Sequence, residues 1–108
     1  MSENPDQTER SNYSSIDRVL HEPARMQITA LLYMLESADY TFVMNQTGLT
    51  WGNLSAHLTK LEEAGYLHIE KSFKGKRPLT MLRLTDQGRD AFRAYAKNMR
   101  SLFDNFPV

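Results

Sequence analysis

The 108-residue chain lacks cysteine, carries no net formal charge and has no long apolar run. Without cysteine there can be no disulfide, no thiolate metal site and no redox-active thiol. No stretch approaches the ~18 consecutive apolar residues of a membrane-spanning helix. Residues 1–10 are polar and lack the apolar segment of a signal peptide. These absences predict a cytoplasmic protein that makes no contact with a membrane.

The length allows one domain and little more. Residues 1–14 are almost entirely polar, so we predict a disordered tail there and one folded domain over residues 15–106. The hydrophobic share of 41% suffices for a core, although a domain of this size buries a limited fraction of its surface. Cores of this kind are often completed by a partner chain.

Positive charge is concentrated in one segment despite the zero net charge. The acids collect at the amino terminus, at residues 62–63 and toward the carboxyl terminus. A locally basic segment can bind phosphate even in a neutral protein. Taken alone, the segment could equally be a solvated hairpin. It has no acid and five cations, namely Lys71, Lys74, Lys76, Arg77 and Arg83.

Hydrophobic spacing divides the chain into helices and strands. A period near 3.6 predicts helices over residues 23–38, 41–48 and 50–65, with Thr41 capping the second of them. The period changes to two over residues 67–73, which predicts a half-buried strand, and a second strand is predicted over residues 79–84. The third helix points three leucines inward, Leu54, Leu58 and Leu61.

The order of these elements predicts an α+β, mostly α fold. Three helices would form the core, the β-hairpin a wing, and a final helix over about residues 85–106 an extra element for dimerisation. The three-residue turn Gly48-Leu49-Thr50 is the specific signal, because helix-turn-helix connections often have this length and contain glycine. The pattern predicts a winged helix-turn-helix protein whose recognition helix enters the major groove of DNA.

The helix that follows this turn presents a small, polar face opposite its leucines. Asn53 offers paired donor and acceptor groups to adenine, and Ser55 and Thr59 suit base edges or phosphate. Lys60 would meet the DNA backbone. Trp51 is either a contact to sugar or a thymine methyl, or a lid on the local core. The predicted DNA-binding residues here are Thr50, Trp51, Gly52, Asn53, Ser55, Ala56, Thr59 and Lys60.

The loop between the two strands is the predicted wing. Its cations suit contacts to the backbone or the minor groove, and its glycine lets the tip turn sharply. The predicted wing contacts are Lys74, Gly75, Lys76 and Arg77. If Lys60 and the three wing cations each neutralise one phosphate, a dimer makes about eight such contacts. The slope of log K against log salt should then be about −7.

Two segments carry a family resemblance, GLTWGNLSAHLTKLEEAGYL (residues 48–67) and IEKSFKGKRPLTMLRLTDQGRDAF (residues 69–92). They resemble the small winged-helix transcriptional regulators of prokaryotes, in the MarR and ArsR groups and nearest to the compact single-domain type. The resemblance implies a homodimer built from terminal helices that binds a pseudo-palindromic operator. Such relatives usually carry a basic residue where this chain has Trp51. Metal sensing is not carried over, because its cysteine ligands are missing.

The final helix carries more apolar surface than the end of a small domain usually needs. We predict a dimer interface there, although the stripe could also pack wholly within one chain. The space between helices in such dimers often accepts hydrophobic effectors, so a small effector of unidentified structure is a further expectation. The predicted interface residues are Phe92, Tyr95, Met99, Leu102, Phe103 and Phe106.

Catalytic and metal-binding motifs are missing from the sequence. There is no nucleophile–base pair, no metal-ligand set and no nucleotide-binding loop, so neither an enzyme nor a cofactor is expected. His57 lies on the recognition helix, where it could touch DNA or pack. Winged helices also serve as protein-interaction modules without DNA, and this is the alternative function. The basic wing and the polar helix face favour DNA binding.

Overall fold

The computed structural model describes residues 16–107, so the predicted tail over residues 1–14 lies outside the described residues. Within that range the strands form one antiparallel sheet in the order β1-β3-β2. In the same range four helices accompany this small sheet, and together they confirm the predicted mostly helical, winged helix-turn-helix fold. The elements are α1 (Pro23–Met34), β1 (Ala38–Asp39), α2 (Tyr40–Thr47), α3 (Trp51–Glu63), β2 (Leu67–Lys74), β3 (Arg77–Leu84) and α4 (Asp86–Asp104).

The core lies where the three-helix unit meets the base of the hairpin. The inward leucines of α3 are all buried, as their spacing predicts, and the helix packs against α1 and β2. Burying one such leucine contributes about 2 kcal/mol. The largest fully buried side chains are Leu20, Ile28, Leu32, Val43, Leu54, Leu61, Leu82 and Thr29.

The first helix ends earlier than predicted. After Met34 the backbone at Leu35 is extended, because residues 38–39 form β1 and pair with β3. Arg89 of α4 donates hydrogen bonds to the carbonyl oxygens of Tyr33 and Leu35, at 3.1 and 2.9 Å. These bonds satisfy carbonyls at the end of α1 and fix its position relative to α4.

The helix-turn-helix unit follows the prediction, with one change at its start. Asp39, not Thr41, caps α2, and its carboxylate accepts a hydrogen bond from the Phe42 amide at 2.7 Å. Gly48 ends α2 with φ of 71°, a left-handed conformation that glycine adopts readily. The connection to α3 therefore has the predicted three residues, and Thr50 caps the recognition helix.

The hairpin is longer than predicted, and its loop is shorter. Pairing continues to Lys74 and Arg77, which leaves Gly75 and Lys76 as the turn. Gly75 has φ of 66°, and no residue other than glycine has a positive φ in residues 16–107. A positive φ at Gly75, the first turn residue, and a φ that is not positive at Lys76, the second, are typical of a type II′ turn. The backbone of this turn follows the twist of the paired strands. The wing is thus a regular hairpin almost to its tip.

The outer end of the wing is not half-buried, contrary to the prediction for residues 67–73. Leu67 is buried and Ile69 is half-buried, whereas Phe73 is 73% exposed. Alternation correctly identifies which side chains share a face of the strand. It does not show how far the core extends beneath them, and here the hairpin projects beyond it.

The amino end of α4 lies directly against the start of β2. Thr85 caps α4 and its hydroxyl donates to the Gly65 carbonyl at 2.6 Å. A Cβ atom built on Gly88 would lie 2.2 Å from the Tyr66 carbonyl oxygen, so a side chain there would force the backbone apart. None of the helices in residues 16–107 combines the length and apolarity needed to cross a membrane.

Candidate nucleic-acid interface

The outward face of α3 is exposed throughout, including all eight residues predicted to bind DNA. Thr50 is occupied in capping the helix, since its hydroxyl oxygen accepts from the Asn53 amide at 3.2 Å. Thr59 donates its hydroxyl to the Ser55 carbonyl at 3.0 Å. The side-chain amide of Asn53 makes no hydrogen bond within residues 16–107, which leaves its donors and its acceptor free for a ligand.

The wing cations are exposed and unpaired. None of the five cations between residues 71 and 83 makes a salt bridge within the described part of the chain. Gly75 is equally exposed at the tip. Because these cations have no ion pair within residues 16–107 to break before they bind a phosphate, the wing is suited to anchoring a polyanion.

One groove brings part of the two predicted surfaces together. Of the predicted DNA-binding residues, Trp51, Ser55, Thr59, Lys74 and Arg77 line it, and the others, including Asn53, Lys60 and Lys76, lie outside it. This α3–wing groove runs between one side of the recognition helix and the hairpin. Two acids, Asp39 and Glu62, also line it. The Asp39 carboxylate is held by the amino end of α2, which partly offsets its charge. The other lining residues include Tyr40, Trp51, Ser55, Lys71, Lys74 and Arg77.

Trp51 packs on the local core and also remains accessible to solvent. Its ring packs on that of Tyr40, with centroids 4.1 Å apart and planes tilted by 36°, yet Trp51 remains 62% exposed. The buried Tyr40 hydroxyl donates to the Trp51 carbonyl at 2.6 Å. Burial raises the pKa of Tyr40, so this hydroxyl remains a neutral donor. The support from Tyr40 could not be predicted from the sequence, because two aromatic residues eleven positions apart form no recognisable pattern.

His57 faces the core side of α3 and not the open groove. It is half-buried, and its Nδ1 lies 3.2 Å from the Arg25 guanidinium and 3.5 Å from the Glu22 carboxylate. Partial burial of Glu22 raises its pKa, but amide hydrogen bonds at the start of α1 outweigh this effect, so its pKa is lowered overall. His57 therefore connects the recognition helix to the first turn of α1.

A second surface, the α1–α4 groove, lies away from the wing and is lined almost entirely by apolar side chains. Of the residues predicted at the dimer interface, Tyr95 is buried in its own chain, with its hydroxyl 2.9 Å from His21 Nδ1. Phe103 and Phe106 at the far end of α4 are 61% and 51% exposed. The half-buried members are Phe92, Met99 and Leu102.

These surfaces define the chain as a winged helix-turn-helix protein. A capped recognition helix, a three-residue turn and a cationic hairpin share one groove, and a long terminal helix lies on the other side of the core. Residues 16–107 contain no cluster of three His, Asp or Glu side chains placed to bind a metal ion.

The chain belongs to the winged helix DNA-binding domain family, whose profile matches residues 24–103. It is 36% identical over 88 residues to an uncharacterized protein of Methanocaldococcus jannaschii, a match that covers 82% of this chain and 96% of that protein.

Solved structures share the fold. A transcriptional regulator homologue from Pyrococcus horikoshii has a TM-score of 0.84 at 24% identity, with 94% of this chain and 99% of that chain covered. A structure from Enterococcus faecalis, described as a MarR-family transcriptional regulator, has a TM-score of 0.69 at 16% identity, with 96% and 90% covered. The MarR-like fold that the sequence resemblance implies is therefore confirmed.

Proposed function

We propose that this protein binds double-stranded DNA sequence-specifically as a homodimer and regulates transcription. The observation that carries the proposal is the α3–wing groove, which is lined by Trp51, Ser55 and Thr59 of the recognition helix and by three unpaired cations of a projecting hairpin, Lys71, Lys74 and Arg77. The major groove of DNA admits an α-helix, and in this arrangement the hairpin would reach the neighbouring backbone.

The residues of this interface divide into two roles. Asn53, with its free side-chain amide, is the principal reader of a base edge, and adenine offers the matching donor and acceptor. Lys60 and the wing cations Lys74, Lys76 and Arg77 anchor the protein to phosphates. Gly52 has no side chain, and the space around it is open, since a Cβ atom built there would meet nothing within 4 Å. DNA could therefore approach the helix backbone closely at this position. Anchoring supplies affinity, and reading supplies sequence preference.

A second copy of the chain would cover the exposed end of α4. Phe103 and Phe106 are large, apolar and accessible there, and the α1–α4 groove continues the apolar surface toward Met26. A two-fold axis near α4 would place the recognition helices about 34 Å apart, in successive major grooves of a pseudo-palindrome. The family resemblance also implies a small hydrophobic effector. We propose that it binds in the part of the α1–α4 groove that the second copy does not fill.

Selection of bound fragments from random DNA tests this proposal, with Asn53→Ala and Lys60→Ala run in parallel. Wild-type protein is expected to enrich an inverted repeat with half-sites about ten base pairs apart. Asn53→Ala should relax one position in each half-site. Because a dimer loses two such contacts, affinity for the enriched site should fall by about 30- to 10⁴-fold. Lys60→Ala should weaken all sequences alike.

Two results would contradict the proposal. Failure of the wild-type protein to enrich any sequence would remove sequence-specific binding altogether. Identical behaviour of Asn53→Ala and Lys60→Ala would show that reading and anchoring are not divided between these residues.

A further inference from the structure

Trp51 is a large apolar side chain presented to solvent at the start of the recognition helix. It is 62% exposed and is the single tryptophan of the chain. One side of its ring packs on Tyr40, which is only 8% exposed. The Tyr40 hydroxyl also holds the Trp51 backbone carbonyl at 2.6 Å. Tyr40 therefore packs against one side of the indole, and the rest of the indole surface is exposed to solvent.

The surroundings of Trp51 suit the approach of a duplex. It lines the α3–wing groove together with Lys71, Lys74 and Arg77, whose charges attract phosphates. Gly52, next in the chain, leaves open space beside it. The Glu62 carboxylate lies eleven residues further on, about 16 Å along the helix axis. The first turn of a recognition helix is the part that meets base edges.

We propose that Trp51 recognises a thymine in each half-site by packing on its C5-methyl group, and that Tyr40 is the positioning residue for this contact. The inference rests on the proposed function. In the major groove the base edges present hydrogen-bond donors and acceptors, and thymine also presents an apolar group, its C5-methyl. An indole has a wide apolar surface and one N–H donor, so it matches a methyl group better than a polar edge.

Replacing thymine by deoxyuridine removes this methyl group and leaves the hydrogen-bonding edge unchanged. Each thymine of the selected operator is replaced in turn, in both half-sites at once, and the affinity of wild-type protein is measured. One symmetry-related pair of replacements should weaken binding by about 15-fold, or about fourfold per methyl group. Trp51 is the single tryptophan of the chain, so all tryptophan fluorescence comes from it. This fluorescence should change more when the thymine duplex binds than when the deoxyuridine duplex binds.

Variants separate recognition from structural support. Trp51→Ala should bind the thymine and deoxyuridine duplexes with equal affinity, and Trp51→Phe should keep part of the discrimination. Tyr40→Phe removes only the hydroxyl and should reduce the ratio of the affinities for the thymine and deoxyuridine duplexes. A structural defect alone would weaken binding to both duplexes equally.

Two failures are distinguishable. If deoxyuridine is tolerated at every position although the protein binds its selected site, the role of Trp51 is wrong and the proposed function stands. The role is also wrong if Trp51→Ala keeps the full discrimination. If no DNA sequence is selected, both proposals fall.

Discussion

Replacing Lys76 and Arg77 together by alanine is expected to lower the affinity for every duplex by about 10²–10³-fold at physiological salt. Both side chains are exposed at the outer end of the hairpin, and neither makes a salt bridge within residues 16–107. Removing them deletes about four phosphate contacts from a dimer. The slope of log K against log salt should fall in magnitude from about 7 to about 4.

The matched control removes the same charge from two exposed positions outside the groove, Arg18→Ala with Lys97→Ala. Its salt slope should equal that of the wild-type protein. Titration of operator and unrelated DNA at several salt concentrations measures both quantities. A double wing variant whose slope stays near that of the wild type, or a control that changes equally, would show that the wing does not anchor DNA.

Replacing Phe103 and Phe106 by glutamate should convert a dimer to a monomer and lower operator affinity by at least about 10²-fold. Both side chains are more than half exposed within one chain, so each chain should retain its fold. Four charges buried between two copies would have no partners, which is strongly unfavourable. A monomer also keeps only half of the phosphate contacts.

Ser101→Glu is the control for this pair, because residue 101 is exposed and lies about 200° around the helix from residue 103. It should leave both the dimer and the DNA affinity unchanged. Sedimentation gives the oligomeric state, and thermal unfolding confirms that each variant is folded. A double variant that remains dimeric would place the interface elsewhere on the chain.

The fold could be predicted from the sequence where local chemistry and periodicity agree. The inward leucines of α3 are spaced for one helix face, and Gly48 and Thr50 have the conformational and capping properties of a helix-turn-helix connection. β1 could not be predicted, because two residues carry no periodic signal. Its formation depends on pairing with a strand more than forty residues away, and this pairing also ends α1 early.

The sites show a similar division. Exposure of the polar α3 face follows from the position of its leucines, but the packing of Tyr40 beneath Trp51 depends on the angle between α2 and α3. The stripe on α4 shows a limit of periodicity. Its spacing identifies an apolar face but cannot distinguish Tyr95, buried in its own chain, from Phe103, which remains exposed.

Protection of a single thiol by DNA tests the central claim most directly. The chain has no cysteine, so Thr59→Cys introduces one reactive group on the outward face of α3, and Lys97→Cys introduces one on α4. With the selected duplex at ten times its Kd, alkylation at position 59 should slow about tenfold, while position 97 reacts at an unchanged rate. Equal rates at position 59 with and without bound duplex would show that DNA does not lie against this face.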